Sequence, residues 1–134
     1  GQSNAVIVGI GIDLVEIDRI DEAILRHGNR FAERILSTSE LVEYFELQAN
    51  QRPRFVAKRF SAKEAFAKAF GTGIGRGFGF KDINIMHNAL GRPELELSSS
   101  STVFDQLEKC SLYLSITDER SSAASVCVIE RSDH

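Results

Sequence analysis

The residues best suited to chemistry in this sequence are two carboxylates in surroundings that do not favour them. Asp13 lies at the end of an apolar run, and Glu64 is the one acid between Arg52 and Lys81. A charge among apolar residues is costly unless it is paired or bound to a metal. Asp13 is therefore a candidate metal ligand or ion-pair partner. The alternative is that it ends the strand and caps the following helix.

The surroundings of Asp13 can be inferred from the alternation of side chains in a strand. Residues 5–15, AVIVGIGIDLV, are β-branched and apolar and predict a buried strand. Alternate residues share a face, so the large apolar side chains would point one way. Asp13 would point the other way, beside two positions without side chains, Gly9 and Gly11.

Basic residues are concentrated in one segment of the chain. Eight of them lie between Arg52 and Lys81, so this segment carries +7 and the rest carries −10, within a net charge of −3. Charge segregated in this way indicates an anionic partner. The alternative is a solvated basic face of a helix.

Two of these basic residues interrupt an apolar helix face. In a helix over residues 54–70, Arg59 and Lys63 fall one turn apart inside an arc of phenylalanines, with Glu64 at its edge. A purely structural amphipathic helix would place its charges on the opposite face. The spacing therefore favours a cationic pair and a carboxylate at the rim of a pocket, although long basic side chains could also extend to water.

A glycine-rich run, Gly71 to Gly79, follows this helix. Glycine lets the backbone approach a ligand closely, but the run follows a helix rather than a strand and lacks the Lys-Ser/Thr of a phosphate-binding loop. Within it, Arg76–Phe80 matches the opening of an RNA-recognition signature. That signature belongs in a central strand, so we interpret the match as accidental.

Composition limits the class of protein. The chain has 134 residues, 43% of them hydrophobic and 26% charged, which is typical of one globular domain. No apolar run approaches the roughly 18 residues of a membrane helix, and the acidic balance excludes a uniformly basic nucleic-acid coat. Two cysteines without metal-ligand spacing indicate a reducing compartment. We expect a cytoplasmic protein with no membrane or nucleic-acid partner, and interpret residues 1–5 as a cloning remnant.

The elements that must position these residues can be predicted from periodicity and breakers. Ser37 and Glu40 form a capping-box pattern that opens a helix, Gly28 is a plausible helix stop, and Pro53 suits a helix start. The predicted helices are 16–26, 31–36, 37–48, 54–70 and a short one at 102–109, and the predicted strands are 5–15, 81–87, 94–97, 112–117 and 123–130. This order predicts a single α+β domain with a mostly antiparallel sheet packed on a long helix.

Two motifs together resemble the holo-[acyl-carrier-protein] synthases, the small trimeric class of 4′-phosphopantetheinyl transferases. The first is residues 9–20, GIGIDLVEIDRI, and the second runs from FVAKRFSAKEA at residues 55–65 to KAFGTGIG at residues 68–75. The turn at residues 91–93 and the strands near residues 115–117 and 128–130 extend the resemblance over residues 6–131. It implies the 4′-phosphopantetheinyl transferase fold.

The resemblance also implies an activity and its residues. The family transfers 4′-phosphopantetheine from coenzyme A to a serine of apo acyl carrier protein, releasing adenosine 3′,5′-bisphosphate, in support of fatty acid biosynthesis. It uses Mg²⁺, whose protein ligands fall here on Asp13 and Glu64, and these two with Lys63 are the implied catalytic residues. The base is either Asp13 or a metal-bound water beside it. The implied coenzyme A contacts are Arg59, Lys63, Lys68, Gly71, Gly91 and Pro93.

The same resemblance suggests how this chain meets other proteins. The acidic carrier protein would dock on Arg19, Arg26 and Arg30, for which ordinary surface arginines are the alternative. The family forms homotrimers whose coenzyme A sites lie between subunits. The chain departs from the family at Asp118, where many members have a histidine, and at Ser122, where an aromatic residue is common. A binding module for RNA or acidic proteins, and a family member that binds coenzyme A without transfer, are the competing hypotheses.

Overall fold

The computed structural model describes residues 4–132, which form strands and helices in mixed order. The strands are β1 (Ala5–Glu16), β2 (Ile83–His87), β3 (Pro93–Leu97), β4 (Cys110–Asp118) and β5 (Ser122–Ser132), and the helices are α1 (Ile17–His27), α2 (Asn29–Ile35), α3 (Thr38–Glu46) and α4 (Arg52–Phe70).

The strands form two antiparallel sheets around the long helix. One sheet has the order β1-β5-β4 and the other is the hairpin β2-β3. Helix α4 contacts β1 and β5 along its length and carries much of the core, including Ala62, Phe66 and Ala69. This arrangement confirms the predicted α+β class, with antiparallel sheets packed on a long helix.

Helix α4 is bounded by the residues expected to begin and end it. Pro53 lies in its first turn, where a missing N–H costs nothing. Gly71 ends the helix with φ of +102°, a left-handed conformation that glycine adopts without strain. Its N–H donates to the Ala67 carbonyl, which would otherwise have no intrahelical partner.

Two glycines of β1 let the strand lie directly against α4. A Cβ at Gly11 would stand 1.9 Å from the carbonyl oxygen of Ala65, and one at Gly9 would stand 1.8 Å from that of Ala69. No side chain fits into such a gap. The spacing of the glycines therefore fixes which face of β1 contacts the helix, and Asp13 lies on that face.

The opposite face of β1 corrects one sequence prediction. The strand was expected to be buried, but Ile10, Ile12 and Leu14 are 63%, 68% and 70% exposed. The glycine face is the one that packs on α4, so the large side chains project from the sheet's other surface. Val126 and Val128 on β5 pair with Ile12 and Ile10 and extend this apolar surface.

Other predictions have mixed outcomes. The capping box of Ser37 and Glu40 is present at the start of α3, and Gly28 ends α1 as expected. The prediction of a helix at 102–109 is wrong, because only the short 3₁₀ turn Phe104–Leu107 forms there.

Two further features concern the chain's class. The glycine-rich residues 71–79 form no strand, and Phe78 is buried in the core, so the RNA-recognition match has no structural basis. None of the helices within residues 4–132 combines the length and apolar character needed to cross a membrane. Of the predicted cloning remnant, residues 1–3 lie outside the described range, and Ala5 already pairs with Ser132.

Candidate active site

Asp13 meets helix α4 where β1 nears its end. The ammonium of Lys68 donates to Asp13 Oδ1 at 3.0 Å and to the Ile12 carbonyl at 3.0 Å. The side chain of Asp13 is only 14% exposed, and its Oδ2 is buried without a hydrogen-bond partner. A buried carboxylate oxygen without a partner is costly, so this atom marks a place for a cation or donor.

Glu64 faces the same place from α4. Burial, and then the charge of Asp13, raise the pKa of the Glu64 carboxyl, while Lys68 opposes the rise. The two carboxylates are therefore near enough to repel each other. They line one cleft of about 580 Å³ together with Lys68, Arg19, a third carboxylate, Glu16, and apolar side chains that include Phe31 and Phe60.

This donor set fits a divalent cation. No cluster of three or more His, Cys, Asp or Glu side chains able to hold a metal occurs in the described range 4–132. Two carboxylates would leave the other coordination positions to waters and phosphate oxygens, which is how Mg²⁺ is usually bound. The partnerless oxygen of Asp13 lies in a cleft where burial, and then the charge of Asp13, also disfavour the ionised form of Glu64, and a bound cation would relieve both.

Lys63 corrects the predicted site. It was expected at the rim of a pocket, but its side chain is fully buried and forms a 2.6 Å ion pair with the equally buried Glu40. Its ammonium also donates to the carbonyls of Ile35 and Phe80, at 2.8 and 3.1 Å. These partners satisfy all three N–H donors of the ammonium. Lys63 therefore has no donor left to face a ligand in the cleft.

Arg59 is nearly buried like Lys63, but like Asp13 it keeps one polar atom without a hydrogen-bond partner. Its side chain is 7% exposed, stacks on the Phe55 ring with 4.2 Å to the centroid, and pairs with Glu43 at 3.3 Å. Its Nε is buried without a hydrogen-bond partner. It lines a groove of about 340 Å³ with Arg54 and Lys58, about one and a half to three turns along α4 from Glu64.

The remaining predicted coenzyme A contacts lie apart from the cleft within one chain. Gly71 is at the end of α4, with open space where a Cβ would stand. Gly91 and Pro93 belong to the β2–β3 hairpin, whose turn is held by the side chain of Asn88. None of the three lines the cleft of Asp13 and Glu64.

The predicted docking arginines are exposed. Arg19 lies on α1 and lines the cleft, whereas Arg26 lies in the last turn of α1 and Arg30 in the first turn of α2. The structure brings Arg19 to the carboxylates. Neither Arg26 nor Arg30 lines that cleft.

Two features escaped the sequence reasoning. Glu40 was assigned a capping role only, yet it also accepts from Lys63 and from the Ile85 N–H at 2.7 Å. Asp118 pairs with Arg54 at 2.9 Å and with Lys58 at 3.6 Å. The i,i+4 spacing of Arg54 and Lys58 was the available signal, but nothing in the sequence shows that β4 ends beside them.

Comparison with known proteins identifies the family. A model of the 4′-phosphopantetheinyl transferase superfamily matches residues 9–127. The holo-[acyl-carrier-protein] synthase of Vibrio cholerae is 46% identical over 127 residues, covering 94% of this chain and 99% of that protein. That of Aliivibrio salmonicida is 46% identical over 125 residues, covering 92% and 98%.

Solved structures agree. The synthase from Neisseria meningitidis has a TM-score of 0.83 at 40% identity, covering 92% of this chain and 98% of that one. The synthase from Bacillus anthracis, in complex with CoA (3′,5′-ADP), has a TM-score of 0.79 at 37% identity, covering 93% and 97%. This chain belongs to the holo-[acyl-carrier-protein] synthase family within the 4′-phosphopantetheinyl transferase superfamily.

Proposed function

We propose that this chain is an Mg²⁺-dependent transferase that moves 4′-phosphopantetheine from coenzyme A to a serine of apo acyl carrier protein. The observation that carries the proposal is the cleft of Asp13, Glu64 and Lys68. It combines a partnerless carboxylate oxygen, two mutually repelling carboxylates and a cation, in a chain whose relatives are holo-[acyl-carrier-protein] synthases.

The reaction is a phosphoryl transfer. The serine oxygen bonds to the phosphorus that carries the pantetheine, the bond from that phosphorus to the bridging oxygen breaks, and adenosine 3′,5′-bisphosphate leaves with the electron pair. Such reactions depend on in-line positioning and on neutralised phosphate oxygens. A bound Mg²⁺, held by Asp13 and Glu64, would supply this neutralisation.

The chain's own residues have the remaining tasks. The exposed ammonium of Lys68 can contact a phosphate oxygen without leaving Asp13, because an ammonium has three donors. The proton lost by the serine goes to the Asp13 carboxylate or to a water beside it. Lys63 acts from the interior, where its pairing with Glu40 holds α4 in place and thereby orients Glu64.

Coenzyme A would be bound by residues spread along α4 and in the β2–β3 hairpin. Arg59 and Lys68 are its proposed cationic contacts, and Gly71, Gly91 and Pro93 its proposed backbone contacts. The relative from Helicobacter pylori has been solved in complex with coenzyme A, and the one from Bacillus anthracis in complex with CoA (3′,5′-ADP). The hairpin residues lie away from the cleft of their own chain, so their contact would be made in a neighbouring subunit.

An oligomer supports this division of the site. The apolar surface of the β1-β5-β4 sheet, with Ile12 and Leu14 about two-thirds exposed, is unusual for a chain that acts alone. We propose a homotrimer that covers this surface, residues 6–131 as its domain, and the cytoplasm as its compartment. The product would serve fatty acid biosynthesis, and the carrier protein would dock on Arg19, Arg26 and Arg30.

The deciding experiment is carrier labelling. The chain is incubated with coenzyme A, Mg²⁺ and an apo acyl carrier protein, and the carrier's mass should rise by about 340 Da, one phosphopantetheine added by phosphoryl transfer. The matched control is a carrier whose acceptor serine is alanine. Coenzyme A binding without any gain in mass would identify a chain that binds the donor but does not transfer.

A further inference from the structure

A carboxylate at the turn between β4 and β5 contacts two cations in the first half of α4. Asp118 Oδ2 accepts from Arg54 at 2.9 Å, and Oδ1 lies 3.6 Å from the ammonium of Lys58. One carboxylate thus bridges two cations with one oxygen each. Two oxygens of a phosphate would contact the same pair in the same way.

The two cations are not held equally. Arg54 also donates to the carbonyls of Glu119 and Arg120, so it keeps partners if Asp118 withdraws. Lys58 contacts Asp118 only at ion-pair distance, and its side chain is 33% exposed. Lys58 is therefore the cation that a competing anion could capture.

A place for such an anion adjoins the pair. Arg54 and Lys58 line the groove of about 340 Å³ that also contains Phe55 and Arg59. Arg59 contributes a buried Nε without a hydrogen-bond partner. The groove thus offers three cationic side chains, one unsatisfied donor and an aromatic ring.

The position of this groove suits the far end of the donor. Lys58 precedes Glu64 by six residues, which is about 9 Å along the helix axis. Coenzyme A has a pyrophosphate, which must lie at the reacting carboxylates, and a phosphate monoester on its ribose. The ribose phosphate is separated from the pyrophosphate by the ribose, so a groove at this distance from Glu64 along α4 is suitably placed to bind it.

We propose that Asp118 competes with the ribose phosphate of the donor for Lys58 and Arg54, and so sets how strongly the chain prefers a phosphorylated nucleotide end. This inference rests on the proposed function, because it takes coenzyme A as the donor. In the free protein Asp118 offsets one of the two positive charges of Arg54 and Lys58. On binding, the phosphate displaces Asp118 from Lys58. Breaking this ion pair reduces the affinity that the phosphate adds to coenzyme A binding.

The test compares coenzyme A with dephospho-coenzyme A, which lacks that phosphate. Binding of each to the full chain is measured by calorimetry for the wild type, Asp118→Asn and Asp118→Glu. Asp118→Asn should tighten coenzyme A about 2- to 5-fold, the range expected for an exposed ion pair, and leave dephospho-coenzyme A unchanged. Asp118→Glu restores the carboxylate and should return the ratio toward that of the wild type.

Two controls separate the alternatives. Glu119→Gln removes the neighbouring charge of a side chain that accepts a hydrogen bond from Ser121, and it should leave the ratio unchanged. Lys58→Met should weaken coenzyme A but not dephospho-coenzyme A. Thermal unfolding of each variant shows whether the turn remains folded.

Several results would overturn the inference. Equal tightening of both donors would mean a general field effect, no change would leave Asp118 as a structural partner of Arg54, and weaker binding would make it part of the site. A wild type that binds neither donor would instead refute the proposed function, whatever the variants do.

Discussion

Two ion pairs lie five residues apart on helix α4 and differ in almost every physical respect. Lys63 and Glu40 are both fully buried, at 2.6 Å, and Glu40 accepts two backbone N–H groups as well. Lys68 is 52% exposed and pairs at 3.0 Å with Asp13, one oxygen of which has no partner at all. The first pair is complete, and the second is not.

This difference indicates that the Lys63–Glu40 pair stabilises the fold, whereas the Lys68–Asp13 pair can bind a ligand. A buried pair with every donor and acceptor used has nothing left to offer a ligand, but removing one member leaves a charge stranded in the interior. A half-exposed pair beside a second carboxylate costs the fold stability and keeps an oxygen and an ammonium available. The same residue types on one helix therefore perform different tasks because of where their partners lie.

The largest expected effect is on the buried pair. Glu40→Gln should lower the free energy of unfolding by about 3–5 kcal/mol, because it leaves the Lys63 ammonium uncompensated in the interior. Urea denaturation followed by circular dichroism measures this. The double variant Glu40→Leu with Lys63→Met removes both charges and should regain most of the loss. A Glu40→Gln protein as stable as the wild type would show that the pair is not structural.

The exposed pair should respond in the opposite way. Asp13→Asn should lower kcat/KM for carrier labelling by about 10²–10³-fold, the effect of losing one electrostatic contact to the transition state. Its unfolding free energy should change by about 1 kcal/mol or less, since the Lys68 side chain it leaves is exposed to water. Asp18→Asn, an exposed acid in the first turn of α1, is the matched control. Full activity in Asp13→Asn would remove this residue from the site.

How much of this contrast the sequence could predict depends on the distance of the partner along the chain. Asp13 was identified from its place in an apolar run and its glycine neighbours, and the glycines do contact α4. Glu64 was identified as the one acid in a basic segment. Both signals are local, because a strand period and a charge count need no tertiary contact.

Lys63 was misplaced because its partner is not local. Glu40 lies 23 residues away and enters the interior through the capping box of α3, so helical spacing alone could not assign it to Lys63. The exposed face of β1 was missed for a related reason. An apolar run predicts burial, but it does not show which face of the strand packs inside its own chain, and here it is the glycine face.

A smaller effect is expected from the cation of the exposed pair. Lys68→Met should raise the KM for coenzyme A about 10-fold, because one charge-assisted contact to a phosphate is lost. It should leave unfolding within about 1 kcal/mol of the wild type. Steady-state labelling at varied coenzyme A measures KM and kcat separately. A fall in kcat alone would mean that Lys68 acts on the transition state rather than on donor binding.

The smallest effect is a pH dependence that comes from the burial of Glu64 and, second, from its repulsion by Asp13. Because folding raises the pKa of Glu64 above its ordinary 4.5, the folded chain holds this proton more tightly than the unfolded chain does. Metal-free stability contributed by this group is complete below pH 4.5 and is lost as pH rises through the raised pKa. Glu64→Gln removes this titrating group, so the variant should be more stable than the wild type at pH 7. The difference in unfolding free energy between the two should decrease as the pH falls toward 4.5.

Mg²⁺ should reverse this difference in stability between Glu64→Gln and the wild type, because a divalent cation held by Asp13 and Glu64 would replace their repulsion with attraction. Mg²⁺ binds the folded state, so it should raise the urea midpoint of the wild type at pH 7 and have little effect on Glu64→Gln. The measurement is urea unfolding between pH 4.5 and 8, with Mg²⁺ or with EDTA, and it needs neither substrate nor carrier. A wild type whose midpoint ignores Mg²⁺ while the pH gap persists would mean that the carboxylates repel each other without holding the metal. Asp13 would then accept the serine proton, and it would not hold a cation that neutralises the phosphate charge.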